Sequence, residues 1–367
     1  MTPRVRTTLV AVFVGVLALA AASVKAQRPP KPASLTVYLS GNSADAPNQP
    51  VNGPAVLVMG GGSEADAAFI NRAYPVINGG DIAVIRVSGS NGYQSYLYST
   101  LVPSGPLKPD SVETMIVDSP AKANDPYVKW VIETAEMVWI AGGDQSDYLN
   151  FWKGTAVEDA VRTVYNRGGV VGGTSAGAMV CSQFIYDPDS VTAITSTQAV
   201  ANPYHPSMML DTDFLNTTLT REMVFDTHFY QRDRMGRLLA MMGRLRQDGV
   251  TPTVIGVGLG ERTAMFIGAD RVGRVDVEPT ILATDAVFVI LEDAATMRTR
   301  VAPGQSLIYK DLVRHRLVNG DSFDFNTLTP SGGATRRLTV DGGISPSPYS
   351  LTDPYAVPVT VGAWSAE

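Results

Sequence analysis

The chain has 367 residues, of which 45% are hydrophobic and 17% charged, with a formal net charge of −6 and a single cysteine. That length suits one large or two modest domains. The acidic balance argues against a nucleic-acid partner, and a lone Cys181 excludes an intrachain disulfide.

Arg4 and Arg6 precede an apolar run at 9–22, and Val24-Lys25-Ala26 has the small-residue pattern of a signal-peptidase site. Residues 1–26 therefore read as a secretory signal cleaved before Gln27, with an uncleaved anchor as the alternative. The run is short for a bilayer span, and no later segment is long and apolar enough for one. The expected product is secreted (extracellular or periplasmic), without stable membrane insertion. Residues 27–52, rich in Pro, Ser and Asn, read as a leader with an edge strand at 35–39. In the body, 53–328, short apolar runs at 55–59, 82–87, 113–117, 137–141 and 169–172 read as strands. Between them, 63–77, 127–135 and 155–167 carry apolar residues at helical spacing. This alternation predicts an α/β fold, a mostly parallel sheet with helices on both faces. The strands are continuous in apolar residues, as expected when both faces are covered. Closely spaced strands at 254–259, 264–267, 275–277 and 287–291 predict an antiparallel extension of the same domain. The tail, 329–367, reads as irregular or as a strand-bearing flap, and there is no internal repeat.

Gly172-Gly173-Thr174-Ser175-Ala176-Gly177 lies between the apolar Val170-Val171 and a small-residue helix start. Strand, tight turn with a serine, then helix is the geometry of a nucleophile elbow, where glycines two before and two after the serine leave room for the turn. The N–H of Ala176 would then face a developing oxyanion, and the loop Gly142-Gly143-Asp144-Gln145 after the preceding strand can supply a second N–H from Gly143 or Asp144. Gly60-Gly61-Gly62 lacks a phosphate-loop lysine and reads as a tight strand–helix turn.

A serine needs a base, and the chain has three histidines. His205 lies in a loop between Tyr204 and Pro206, and His315, between Arg314 and Arg316, reads as solvated on a helix. His228 follows the apolar run 223–225 and is the best-placed base. After it come Arg232, Arg234 and Arg237, at the start of an amphipathic helix with a stripe of Met235, Leu238, Leu239 and Met242. A helix N-terminus disfavours cations, so three guanidinium groups there point to carboxylate recognition. Cys181 reads as a buried small residue. No cluster of His, Asp or Cys has metal-ligand spacing, and no cofactor is expected.

The order GGDQ, GGTSAGA, DTHFYQRDRMGRL and GVGLGERTA resembles cyanophycinases, within the dipeptidase E-like serine peptidases, over about residues 53–290. The resemblance implies a fold like class I glutamine amidotransferase domains and a Ser–His–acid relay. It also implies cleavage of cyanophycin, an aspartate polymer with arginine on each side-chain carboxylate, to β-aspartyl-arginine dipeptides. Carried over by motif, Ser175 is the nucleophile and His228 the base, and Gln145, Asp226, Thr227, Arg232, Arg234 and Arg237 form the substrate pocket. Thr227 departs from the family's usual glutamine, which shortens one contact. The relay acid is expected between the serine and the histidine, in the loop bearing Asp187 and Asp189, with Asp189 preferred; Asp211 and Asp213 lie too close to the following strand. Short aspartyl or isoaspartyl peptides, an α/β-hydrolase-type esterase and a non-catalytic binding protein of the same fold stay open, as does a homodimer.

Overall fold

The computed structural model describes residues 27–189, 191–279 and 285–356, so the expected signal at 1–26 lies outside it. Among the described residues, no helix is long and apolar enough to cross a membrane. Ten strands form one sheet, in the order β1 (Thr36–Gly41), β4 (Ser111–Ile116), β3 (Ile82–Arg86), β5 (Met137–Ile140), β6 (Val170–Thr174), β2 (Ala55–Met59), β11 (Thr263–Ile267), β12 (Val272–Val277), β16 (Ser322–Asp324) and β17 (Thr329–Ser331). Its centre, from β4 to β2, is parallel, and both flanks are antiparallel. The second sheet runs β14 (Met297–Arg300), β15 (Ile308–Leu317), β13 (Val287–Leu291), β10 (Ile255–Leu259), β9 (Met223–Thr227), β7 (Phe184–Tyr186) and β8 (Leu210–Thr212), with β18 (Ala334–Asp341) pairing β15. Only β7–β9 and β9–β10 are parallel there. The fold class is α/β, as the alternation of elements predicts.

Side chains explain the layering. On β2, Val56 and Val58 pack with Val128 of α4 (Pro126–Thr134) and Val161 of α6 (Ala156–Asn166), whereas Ala55, Leu57 and Met59 pack with Tyr74 and Ile77 of α2 (Tyr74–Ile77). A strand covered on both faces has no polar side, hence its unbroken apolar run. The helix expected at 63–77 is broken into α1 (Asp66–Ala68), a π-helical turn Phe69–Ala73 and α2. Proline or polar caps open α3 (Pro120–Ala123), α4 and α5 (Gln145–Trp152), whose cap Asp144 accepts from the Ser146 N–H at 2.9 Å.

The late strands form the expected antiparallel extension, dividing between the two sheets. β10 and β13 lie in the second sheet, while β11 and β12 close the first. Phe225, Val257 and Val289 share the first sheet's core. On the opposite face, Val224, Phe288 and Ile290 pack with Leu238 and Met242 of α9 (Met235–Gln247). α9 is buried almost all round, so its apolar stripe understates its burial. His315 is not solvated on a helix: it lies buried on β15 and its Nδ1 hydrogen-bonds Thr335 Oγ1 at 2.8 Å. The tail is regular through β17 and β18, then returns along β18 through Asp341 N–H to Pro348 O and Ser350 N–H to Thr339 O.

Candidate active site

The turn after β6 is strained where a nucleophile should be. Ser175 has φ 54° and ψ −121°, a conformation non-glycine residues rarely adopt, and it caps the short helix α7 (Ala176–Met179). Both flanking glycines are sterically required. A Cβ on Gly173 would lie 2.5 Å from Ile140 O, and one on Gly177 would lie 2.8 Å from Ala141 O. The Ser175 N–H donates to Met59 O, tying the elbow to the end of β2. Gly142 approaches from the side, where an added Cβ would stand 3.5 Å from Ser175 Cβ. The first N–H groups of a helix have no intrahelical acceptor, so the Ala176 N–H is free to serve the oxyanion, with the Gly143 loop beside it.

His228 ends β9 with φ 48°, and its N–H donates to Gly60 O at 2.8 Å. Its Nε2 stands 2.8 Å from Ser175 Oγ, and its Nδ1 stands 2.7 Å from Glu261 Oε1. Gly61, at φ 97°, lies flat against the imidazole, where a Cβ would come within 2.7 Å of Nε2. The triple-glycine turn is therefore a seat for the histidine ring. Glu261 lies in the short connection between β10 and β11, where the chain crosses from one sheet to the other. Its backbone N–H donates to Gln231 Oε1, Gln231 Nε2 donates to Asp285, and Arg262 holds the same Asp285 carboxylate. Burial lowers the His228 pKa below the usual imidazole range; the Glu261 hydrogen bond opposes that shift and the Arg232 charge adds to it. A neutral imidazole that donates from Nδ1 to Glu261 presents a lone pair at Nε2 to the serine hydroxyl.

A cavity of about 250 Å³ opens at the serine. Gly143, Asp144, Gln145, Ala176, Thr227, His228, Arg232, Arg234 and Arg237 all line it, with Met179, Pro188, Val191 and Ala193 as its apolar wall. Arg232 and Arg234 have no side-chain hydrogen bond or ion pair among the described residues. Both precede the helix proper, which starts at Met235. Arg237 differs. Its guanidinium is buried in a two-point pair with the fully buried Asp226, Nε to Oδ2 at 2.9 Å, and stacks over the Tyr186 ring at 4.4 Å. Asp226 is thus spent on Arg237 and does not reach the cavity, contrary to its expected place as a substrate contact. Gln145 donates to Tyr186 O at 3.1 Å, which pins one wall.

Asp189 is not the carboxylate at His228. It accepts from Asn150 Nδ2 at 3.1 Å on the surface, and Asp187 is held on the same loop by its N–H to Met209 O. The acid at the histidine is Glu261, beyond it in the chain. The run GVGLGERTA already contained this residue, but chain order directed attention to the segment between serine and histidine. Cys181 is buried, and burial pushes its thiol up to about 12.

Serine on a strained elbow, a neutral histidine and a carboxylate in line define the site of a serine hydrolase. Residues 101–204 match the model of peptidase family S51. The chain is 25% identical over 203 residues to a cyanophycinase of Geminocystis herdmanii, covering 55% of this chain and 67% of that one. It is 24% identical over 287 residues to a cyanophycinase of Nostoc sp., covering 73% and 85%. A solved peptidase from an acI-B1 actinobacterium superposes with a TM-score of 0.48 at 16% identity, over 76% of this chain and 99% of that one.

Proposed function

We propose that this chain is a serine peptidase that hydrolyses cyanophycin to β-aspartyl-arginine dipeptides, with Ser175, His228 and Glu261 as its relay. The observation that carries the reading is the continuous chain of contacts from Ser175 Oγ through His228 to Glu261, 2.8 and 2.7 Å, at a cavity lined by Arg232 and Arg234, neither in an ion pair among the described residues. His228 Nε2 takes the hydroxyl proton as Ser175 Oγ attacks the scissile carbonyl. The oxyanion falls to the N–H groups of Ala176 and Gly143, and Glu261 stabilises the imidazolium that forms. His228 then protonates the leaving amine, and water repeats the sequence on the acyl-enzyme.

Arg232 and Arg234 supply cationic forks for the carboxylates of an aspartyl backbone. Arg237, neutralised by Asp226, shapes the wall more than it adds charge. The chain is secreted in this reading, beginning at Gln27, which N-terminal sequencing of exported protein tests. The function is tested by incubating purified protein with insoluble cyanophycin and measuring soluble dipeptide, with Ser175→Ala as control. Cleavage of short aspartyl dipeptides without release from the polymer would move the reading to a dipeptidase. Fast cleavage of a neutral ester that ignores Arg232→Ala would move it to an esterase.

A further inference from the structure

The arginine-bearing turn has little regular structure of its own. His228 and Asp233 both have positive φ, 48° and 46°, and helix begins only at Met235. Three backbone bonds close it, from the N–H groups of Arg232, Asp233 and Arg234 to the carbonyls of His228, Tyr230 and Phe229, and outside partners hold it in place. Tyr355, far along the chain and buried, accepts from the Met235 N–H at 2.8 Å and donates to Asp233 Oδ1 at 2.8 Å. Its ring packs edge-on against Phe229 and Tyr230, with centroids 5.7 and 5.3 Å apart. Tyr355 is itself fixed in place. Its N–H donates to Asp353 Oδ1, and the fully buried Arg314 donates to the carbonyls of Pro354 at 2.6 Å and Ala356 at 3.1 Å. A guanidinium withdrawn from water and bonded to backbone carbonyls makes that turn a firm anchor. From the other side, Ser196 Oγ, in the first turn of α8 (Ser196–Ala201), donates to Asp233 O and accepts from the Arg237 N–H at 3.0 Å.

Asp233 stands between Arg232 and Arg234 in sequence, so its carboxylate is the obvious group to neutralise them. It is in no ion pair among the described residues and instead accepts from the Tyr355 hydroxyl. We propose that the C-terminal turn at 353–356 is a clamp on the arginine turn, and that the Tyr355 hydroxyl is a positioning group which keeps Asp233 off Arg232 and Arg234 so that both stay available to an anionic peptide. The proposal rests on the reading above, in which those two arginines bind substrate carboxylates.

The test is Tyr355→Phe, which keeps the ring packing and removes both hydroxyl bonds. The expected result is a KM for cyanophycin raised about tenfold, with kcat and the rate of Ser175 labelling by a fluorophosphonate within about twofold of the parent. Adding Asp233→Asn to Tyr355→Phe removes the competing charge and should return KM to within about threefold of the parent. An unchanged KM in Tyr355→Phe overturns the proposal. So does a KM that Asp233→Asn does not rescue, or a joint loss of kcat, labelling and thermal stability, which would mark a general structural role. Should the parent protein fail to act on any aspartyl peptide, the functional reading falls by itself. The clamp is then judged by hydrogen exchange, faster over 229–235 in Tyr355→Phe if it exists and unchanged if it does not.

Discussion

Glu261→Gln removes a charge while keeping shape and hydrogen-bonding capacity, so it isolates what the carboxylate does for His228. In the proton-transferred state the Nδ1–H to carboxylate bond is charge-assisted, and such bonds contribute about 1.5–3 kcal/mol net. At about 1.4 kcal/mol per tenfold, that loss alone lowers kcat by roughly 10- to 150-fold. If the new amide turns its NH₂ to Nδ1, the ring takes the tautomer with Nε2 protonated and cannot accept from Ser175; the loss of the carboxylate in a related triad costs about 10⁴. Glu261 is partly exposed at 29%, against a fully buried triad acid, which argues for a value between those limits, about 10²–10³. The pH profile supplies an independent sign. The base must be neutral, so activity falls as pH drops through the His228 pKa, and burial already holds that pKa below the usual range. Since Glu261 opposes the shift, Glu261→Gln should move the acid limb of kcat/KM to still lower pH even as the plateau falls. The assay is kcat/KM on cyanophycin from pH 4 to 9, beside fluorophosphonate labelling. A Glu261→Gln plateau within about threefold of the parent, together with a large loss in Asp189→Asn, would refute the assignment.

Ser175→Ala should abolish both hydrolysis and fluorophosphonate labelling while circular dichroism and melting temperature stay put, since only one hydroxyl is removed. Gly61→Ala should sharply reduce labelling, because the added methyl occupies the face of the His228 ring; labelling at the parent rate would show that the ring does not need that seat. Arg237→Ala should lower unfolding free energy by about 3–5 kcal/mol in denaturant titrations, leaving Asp226 buried and unpaired. Arg232→Ala, at an exposed position, should instead leave stability within about 0.5 kcal/mol and raise KM about ten- to a hundredfold, with Arg232→Lys failing to restore it.

The elbow was readable because its constraint is local: glycines at two positions either side of Ser175 answer to sterics within the same turn. His228 was readable by elimination among few histidines and by its place at a strand end. Glu261 was not, because nothing local marks it; its place beside His228 comes from the antiparallel pairing of β11 with β2, which carries the β10–β11 connection to the histidine. The Asp226–Arg237 pair was hidden for a related reason. Both residues sit in a substrate-like motif, and only the packing of α9 over β9 turns them toward each other. His315 misled through its neighbours: between Arg314 and Arg316 it reads as solvated, yet Arg314 is buried and donates to the carbonyls of Pro354 and Ala356 inside the protein.

The connection that carries Glu261 also sets when the chain becomes an enzyme. The serine elbow is built on the first sheet, but His228 ends a strand of the second sheet and Glu261 lies on the crossing between them. With the proposed relay, a growing chain that has folded only the parallel strands presents a serine with no proton acceptor and should be chemically silent. Activity through the proposed relay should therefore report assembly, with no hydrolysis by a half-folded form.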